Sequence, residues 1–130
     1  KAIRPWQHVL EPLSGYLLLA EKLFSDTSFA GAWNFGPDIS ETKPVAWIAD
    51  ALSNNWGEEA NWNGDVNEHP HEAYLLKLDS TKAKTVLGWS PQINLIDALA
   101  LTVEWFKAYQ QGKGMRMITE NQIQNYLNRG

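Results

Sequence analysis

Apolar residues recur at helical spacing over several stretches of the chain, separated by short apolar runs and polar connections. Leu13, Tyr16, Leu17, Ala20, Leu23 and Phe24 predict a helix over residues 11–24, with Pro12 suited to its first turn. Val45, Ile48, Leu52 and Trp56 share a face of a second predicted helix, residues 44–56, which Gly57 ends. In DSTKAKTVLGW, Asp79 or Ser80 caps a short helix; Ala83, Val86 and Leu87 form its apolar side and Gly88 stops it. Asn94 caps a helix from Leu95 to about Tyr109, with Leu95, Leu99, Val103 and Phe106 toward the core. Thr119 and Gln122 stand at capping-box spacing for a last helix to about Leu127. Shorter runs predict extended segments: residues 6–9, 32–35 before the Gly36-Pro37 turn, 72–78, and as a further candidate 60–62. The polar stretches 25–31, 58–70 and 110–114 predict loops. Helices dominate, and the strands are too few and too far apart in sequence to complete a sheet. The pattern is that of the end of a larger α/β chain.

Composition narrows the reading. The chain has 130 residues, the size of one domain, with 44% hydrophobic and 20% charged residues, a globular balance. Its net charge of −4, with 11 scattered Lys and Arg, argues against a nucleic-acid partner. The absence of cysteine excludes disulfides and thiolate metal sites and makes a cytoplasmic location the expectation. No apolar run approaches the ~20 residues of a membrane helix. The opening KAIRPW, without Met, reads as a cut point. Seven tryptophans are an unusual number for this length, and an indole serves equally as a core wedge or as a flat face for a ligand.

Two clusters carry candidate chemistry. In RPWQHV, Arg4 offers the fork a pyrophosphate wants, Pro5 fixes the backbone, Trp6 offers a stacking face and His8 a hydrogen bond. The same residues also read as a surface cation beside half-buried packing. In HPHEAY, His69, His71 and Glu72 suit a polar loop lining a pocket, the imidazoles donating to phosphate or ribose and Glu72 accepting from a hydroxyl. A metal site is disfavoured there, because Pro70 separates the histidines and no helix aligns them. The chain has no glycine-rich dinucleotide loop, no P-loop, no GxSxG elbow and no cysteine nucleophile. Tyr109 and Lys113 alone have Tyr-x-x-x-Lys spacing, and they fall where a helix runs into a glycine-rich connection. No catalytic, cofactor-binding or metal-binding residue is assigned to this chain.

Arg4–Val9 leading into a helix, Asn34–Gly36 after a short apolar run, and Ser80–Trp89 with its Lys-Ala and Leu-Gly-Trp resemble the C-terminal part of the extended short-chain dehydrogenase/reductase enzymes acting on nucleotide sugars. RPWQHV followed by EPLSGYL points to the branch that dehydrates CDP-glucose. The resemblance implies an α/β fold: residues 1–130 would be a mostly helical nucleotide-sugar-binding domain with a few short strands, completing an NAD-binding Rossmann protein whose N-terminal domain is absent here. The whole enzyme would bind NAD in that domain, oxidise the sugar at C4, eliminate water across C5–C6 and return the hydride at C6. By position, Arg4 matches the family's pyrophosphate arginine and Trp6 the aromatic near the nucleotide. Counting back seven from Asp79 puts Glu72 at the ribose-binding place and His69 where relatives have Arg; His71 is a second donor. The implied partners are CDP-glucose and a second subunit, with no nucleic acid or membrane, and the fragment alone would be inactive. A UDP- or dTDP-sugar epimerase or dehydratase remains an alternative, as does a free-standing binding module. Either way, the helix over 11–24 and the run at 33–35 are expected to lack neighbours, which predicts a covering chain, domain swapping or marginal stability.

Overall fold

The computed structural model describes residues 2–65 and 75–129. Its helices are α1 (Leu10–Ser25), α2 (Val45–Trp56), α3 (Leu95–Gln110) and α4 (Met115–Leu127), and its strands are β1 (Ile3–Pro5) and β2 (Thr42–Pro44). β1 and β2 pair antiparallel in a two-stranded sheet, with Arg4 opposite Lys43. The chain is thus a mostly helical α/β mix. Among the described residues no helix is long and apolar enough to cross a membrane.

Local chemistry explains the helices. Glu11 in the first turn and Lys22 in the last favour the dipole of α1. Gly57, at a φ of 71°, closes α2. The Asn94 side chain accepts from the Asp97 amide at 2.9 Å and caps α3. The turn after Ser80 is wider than an α-helix over Ala83–Leu87. It buries Ala83 and Leu87 but leaves Val86 exposed, contrary to the apolar face expected of an ordinary helix. Gly88 takes the left-handed conformation, and the Trp89 amide reaches back to the Ala83 carbonyl at 3.1 Å.

Three apolar clusters hold these elements together. Leu18 and Leu19 of α1 pack on Phe35, Ala83, Leu87 and Trp89. Ile48 of α2 meets Leu95 and Leu99 of α3, with Trp6 and Trp47 alongside. Ile93, Ala98 and Tyr126 join α3 to α4 beneath Leu10. Phe106, expected on the core side of α3, is 52% exposed, because α4 covers the helix on the side of Leu101 and Trp105.

The extended segments differ most from expectation. Pairing begins three residues before the predicted 6–9 strand. Trp6 and Gln7 use their side chains instead, the indole N–H donating to the Lys43 carbonyl at 2.9 Å and the Gln7 amide to the Phe35 carbonyl at 2.8 Å. Residues 32–35 form no ladder: Lys82 donates to the Ala32 carbonyl, and the Ser80 hydroxyl accepts from the Gly36 amide. Residues 60–62 form no strand either, and the Trp62 indole donates to Asp50. Of the predicted 72–78 strand, residues 72–74 lie outside the described residues; Leu75 makes a single parallel bridge to Ile3. The last helix starts at Met115, four residues before the capping-box threonine. Thr119 and Gln122 lie inside it and bind α3: Thr119 accepts from the Trp105 indole, and Gln122 donates to the Leu101 carbonyl.

Candidate functional site

The site grows from the two strands. Antiparallel pairing puts Arg4 and Lys43 directly opposite, so their side chains leave the same face of the ladder. Like charges at such positions, roughly 4.5–5.5 Å apart at Cβ, repel and attract an anion between them. Arg4 Nη1 donates to the Ile3 carbonyl at 2.9 Å, and the Lys43 ammonium lies 5.7 Å from the centre of the Trp47 ring. The sequence reading singled out Arg4 and not Lys43, because only the strand register brings residues 39 apart into one pair.

Trp6 follows on the same strand exit. Its N–H is committed to the Lys43 carbonyl and its ring rests on Ile48, Leu95 and Leu99, so only the partly exposed ring remains for a ligand. That ring borders a polar crevice of about 260 Å³ with Gln7, Asp38, Glu41, Gln92 and Asn94. An adjoining crevice of about 330 Å³ takes Lys43 and Trp47 into its wall and shares Glu41 and Asn94 with the first. Glu41 is held there by the Leu95 amide, which donates to Oε2 at 2.7 Å. His69, His71 and Glu72 lie outside the described residues. The described chain resumes at Leu75, whose bridge partner Ile3 is next to Arg4.

His8 and Glu11 belong to a different centre. His8 is buried; burial lowers its pKa, and the Glu11 carboxylate works in the opposite direction. Its Nδ1 accepts from the Leu10 amide at 3.3 Å, so this atom stabilises the start of α1 and does not face a ligand as a donor. Glu11 has 0% exposure. Its Oε1 accepts from the amides of Gln92 at 2.8 Å and Ile93 at 2.5 Å, and its Oε2 from the Tyr126 hydroxyl at 2.8 Å. The Tyr126 hydroxyl is also 2.9 Å from the Ser14 Oγ, which accepts from the Trp89 indole. Burial, with the negative Glu11 beside it, pushes the Tyr126 phenol up to about 12. This knot fixes the 91–94 connection, one wall of the polar crevice, to α1 and α4.

Comparison with known proteins agrees with the resemblance seen in the motifs. No protein-family model matches the chain. It is 44% identical to a CDP-glucose 4,6-dehydratase of Salmonella typhimurium over 97% of its own length and 35% of that enzyme. A UDP-glucose 4-epimerase of Mycolicibacterium smegmatis is 49% identical over 27% of the chain and 11% of the epimerase. A dTDP-glucose 4,6-dehydratase of Streptomyces niveus is 40% identical over 32% of the chain and 12% of that enzyme. The chain therefore spans about a third of the longest match and far less of the others. It is a relative of CDP-glucose 4,6-dehydratase, similar along nearly all of its length to about a third of the Salmonella enzyme.

Proposed function

We propose that this chain is the nucleotide-sugar-binding, C-terminal part of a CDP-glucose 4,6-dehydratase of the extended short-chain dehydrogenase/reductase class. Such an enzyme converts CDP-D-glucose to CDP-4-keto-6-deoxy-D-glucose with loss of water. The observation that carries the reading is the Arg4–Lys43 pair: two cations on one face of a ladder, beside a partly buried indole, suit a pyrophosphate and its nucleoside. Arg4 and Lys43 would neutralise the diphosphate, and the Trp6 ring would flank the nucleoside. Glu72 would accept from a ribose hydroxyl, with His69 and His71 as further donors; all three lie outside the described residues. The residues of this chain do not fit NAD, since the sequence has no glycine-rich phosphate loop. The cofactor and the hydride and elimination steps would therefore belong to the rest of the enzyme, and the chain alone would not turn substrate over.

The test is a chimaera in which this chain replaces the matching third of the Salmonella enzyme. Arg4→Ala should raise KM for CDP-glucose at least tenfold, the loss of a charge-assisted contact of about 1.5–3 kcal/mol, with kcat less affected. An unchanged KM would sink the phosphate role. The shorter matches to UDP- and dTDP-glucose enzymes keep those nucleotides as the second reading. Competition among CDP-, UDP- and dTDP-glucose separates the two.

A further inference from the structure

A cleft of about 190 Å³ opens between the start of α1, α3 and α4, lined by His8, Leu10, Thr102, Trp105, Gln122 and Ile123 among others. It shares no lining residue with the two crevices beside Trp6 and Lys43. Its surface is almost wholly apolar, and Trp105 gives it an aromatic wall. That indole is fixed from two sides: its N–H donates to the Thr119 hydroxyl at 3.0 Å, and its ring stacks on Tyr109 with centroids 5.9 Å apart. The room suits one ring, since an apolar protein cavity of about 150 Å³ takes benzene.

Two buried polar side chains interrupt this lining, His8 at 8% exposure and Gln122 at 7%. Each has one polar atom committed to the fold and one left over. His8 Nδ1 accepts from the Leu10 amide, so the proton of the neutral imidazole sits on Nε2, and Nε2 has no partner among the described residues. Gln122 Nε2 donates to the Leu101 carbonyl and the Glu104 carboxylate, while its Oε1 accepts from no described residue. Neither atom is sealed in protein; among the described residues that holds of Gln7 Oε1. The cleft is therefore apolar except for one open donor and one open acceptor. A plain hydrocarbon ring would leave both unanswered, and an anionic ring would lose its hydration without meeting a charge. A hydroxyl on the ring answers both. We propose that this cleft is a binding site for one neutral aromatic ring carrying a hydroxyl, the phenol class, with His8 Nε2 donating to the hydroxyl oxygen and the hydroxyl donating to Gln122 Oε1. The site goes beyond the nucleotide-sugar reading and does not rest on it.

Phenol titrated into the full chain at neutral pH, followed on the Trp105 indole N–H signal by NMR, should bind with a Kd on the order of 1 mM, as so small a ligand allows. Benzene should bind about fivefold more weakly or worse, and benzoate should not bind. Ile123 stands on the rim at 39% exposure, so Ile123→Trp should close the mouth and abolish phenol binding without lowering the melting temperature. Gln122→Met keeps the volume and removes the acceptor, so phenol should weaken about fivefold while benzene does not. Phenol that gives no saturable shift, that binds no better than benzene, or that binds Ile123→Trp as well as the parent chain overturns the proposal. The benzene and Ile123→Trp arms decide it even where Gln122→Met melts too low to titrate. The chimaera supplies the last arm. Phenol should bind there as well, and binding that is lost in the chimaera overturns the site, since another part of the enzyme then fills the cleft.

Discussion

Arg4 and Glu11 are seven residues apart and are held in opposite ways. Glu11 is sealed from solvent with three donors on its two oxygens, tying α1 to the 91–94 connection and to α4. Arg4 lies on a three-residue strand directly opposite another cation. A buried carboxylate with full hydrogen bonding specifies one arrangement of the chain around it, because any other leaves charge and donors unpaired. Opposed cations on a short ladder repel each other, so their mutual contact does not favour the arrangement. The difference separates a buried structural centre from the part-buried pair of cations proposed above to hold a diphosphate.

The comparison breaks most readily at Glu11. Glu11→Ala leaves two backbone amides and the Tyr126 hydroxyl without an acceptor in the interior, and should cost roughly 3 kcal/mol or more. Glu11→Gln keeps one acceptor oxygen and should cost about half as much. Urea unfolding measures both, and a loss below about 1 kcal/mol for Glu11→Ala would mean that the knot does not hold the fold together.

Next in size is the contact beneath the knot. A Cβ at Gly15 would fall 2.2 Å from Cδ1 of Phe35, an atom of a rigid ring that is itself buried. Gly15→Ala should destabilise by about 1–3 kcal/mol, and Phe35→Leu in the same chain should restore part of the loss. Independent, additive effects of the two changes would show that α1 and Phe35 are not pressed together in this way.

Acid and base probe the same centre more gently. Burial holds the His8 pKa below its ordinary 6.5, so the unfolded chain takes up that proton first as pH falls. The His8 contribution is therefore complete above about 6.5 and declines as pH drops toward the folded value. His8→Asn, which keeps an acceptor near the Leu10 amide, should flatten the stability curve in that range. Tyr126 acts at the other end. Its phenol, raised from 10 to about 12, contributes fully below pH 10 and loses that contribution as pH rises from 10 to 12. Tyr126→Phe should remove the alkaline decline; denaturant midpoints across pH, in both variants, check the two limbs.

The sequence showed the two regions unequally. Helical spacing marked α1, α2 and α3 within a residue or two, and Asn94 marked the cap of α3, because these signals are local. Arg4 stood out through its motif as a candidate. Lys43 was not, since its relation to Arg4 exists only in the register of two strands 39 residues apart. Glu11 read as an ordinary first-turn acid, and its partners Gln92, Ile93 and Tyr126 lie 81 to 115 residues away. The extended runs misled for a related reason. Local β preference does not supply a neighbouring strand, and at residues 32–36 side chains of Gln7, Lys82 and Ser80 meet the backbone instead. Thr119 and Gln122 had the right spacing for a cap, but packing of α4 on α3 gave both side chains partners across the helix pair.

The smallest stability effect carries the sharpest test of the contrast. Lys43→Ala removes one of two opposed cations and leaves the backbone carbonyl that receives the Trp6 indole. It should change stability by no more than about 0.5 kcal/mol, and relief of repulsion can make the sign favourable. In the chimaera the same change should raise KM for CDP-glucose, and the rise should shrink at high salt, where screening already weakens the pair's pull on a diphosphate. Urea unfolding and steady-state kinetics on one protein give both numbers. If Lys43→Ala unfolded the chain as readily as Gly15→Ala while leaving KM alone, the ladder would be a structural element like the Glu11 knot, and the distinction between the two regions would fail. A neutral stability with a salt-sensitive KM would place the cost of opposing Arg4 and Lys43 where the ligand relieves it.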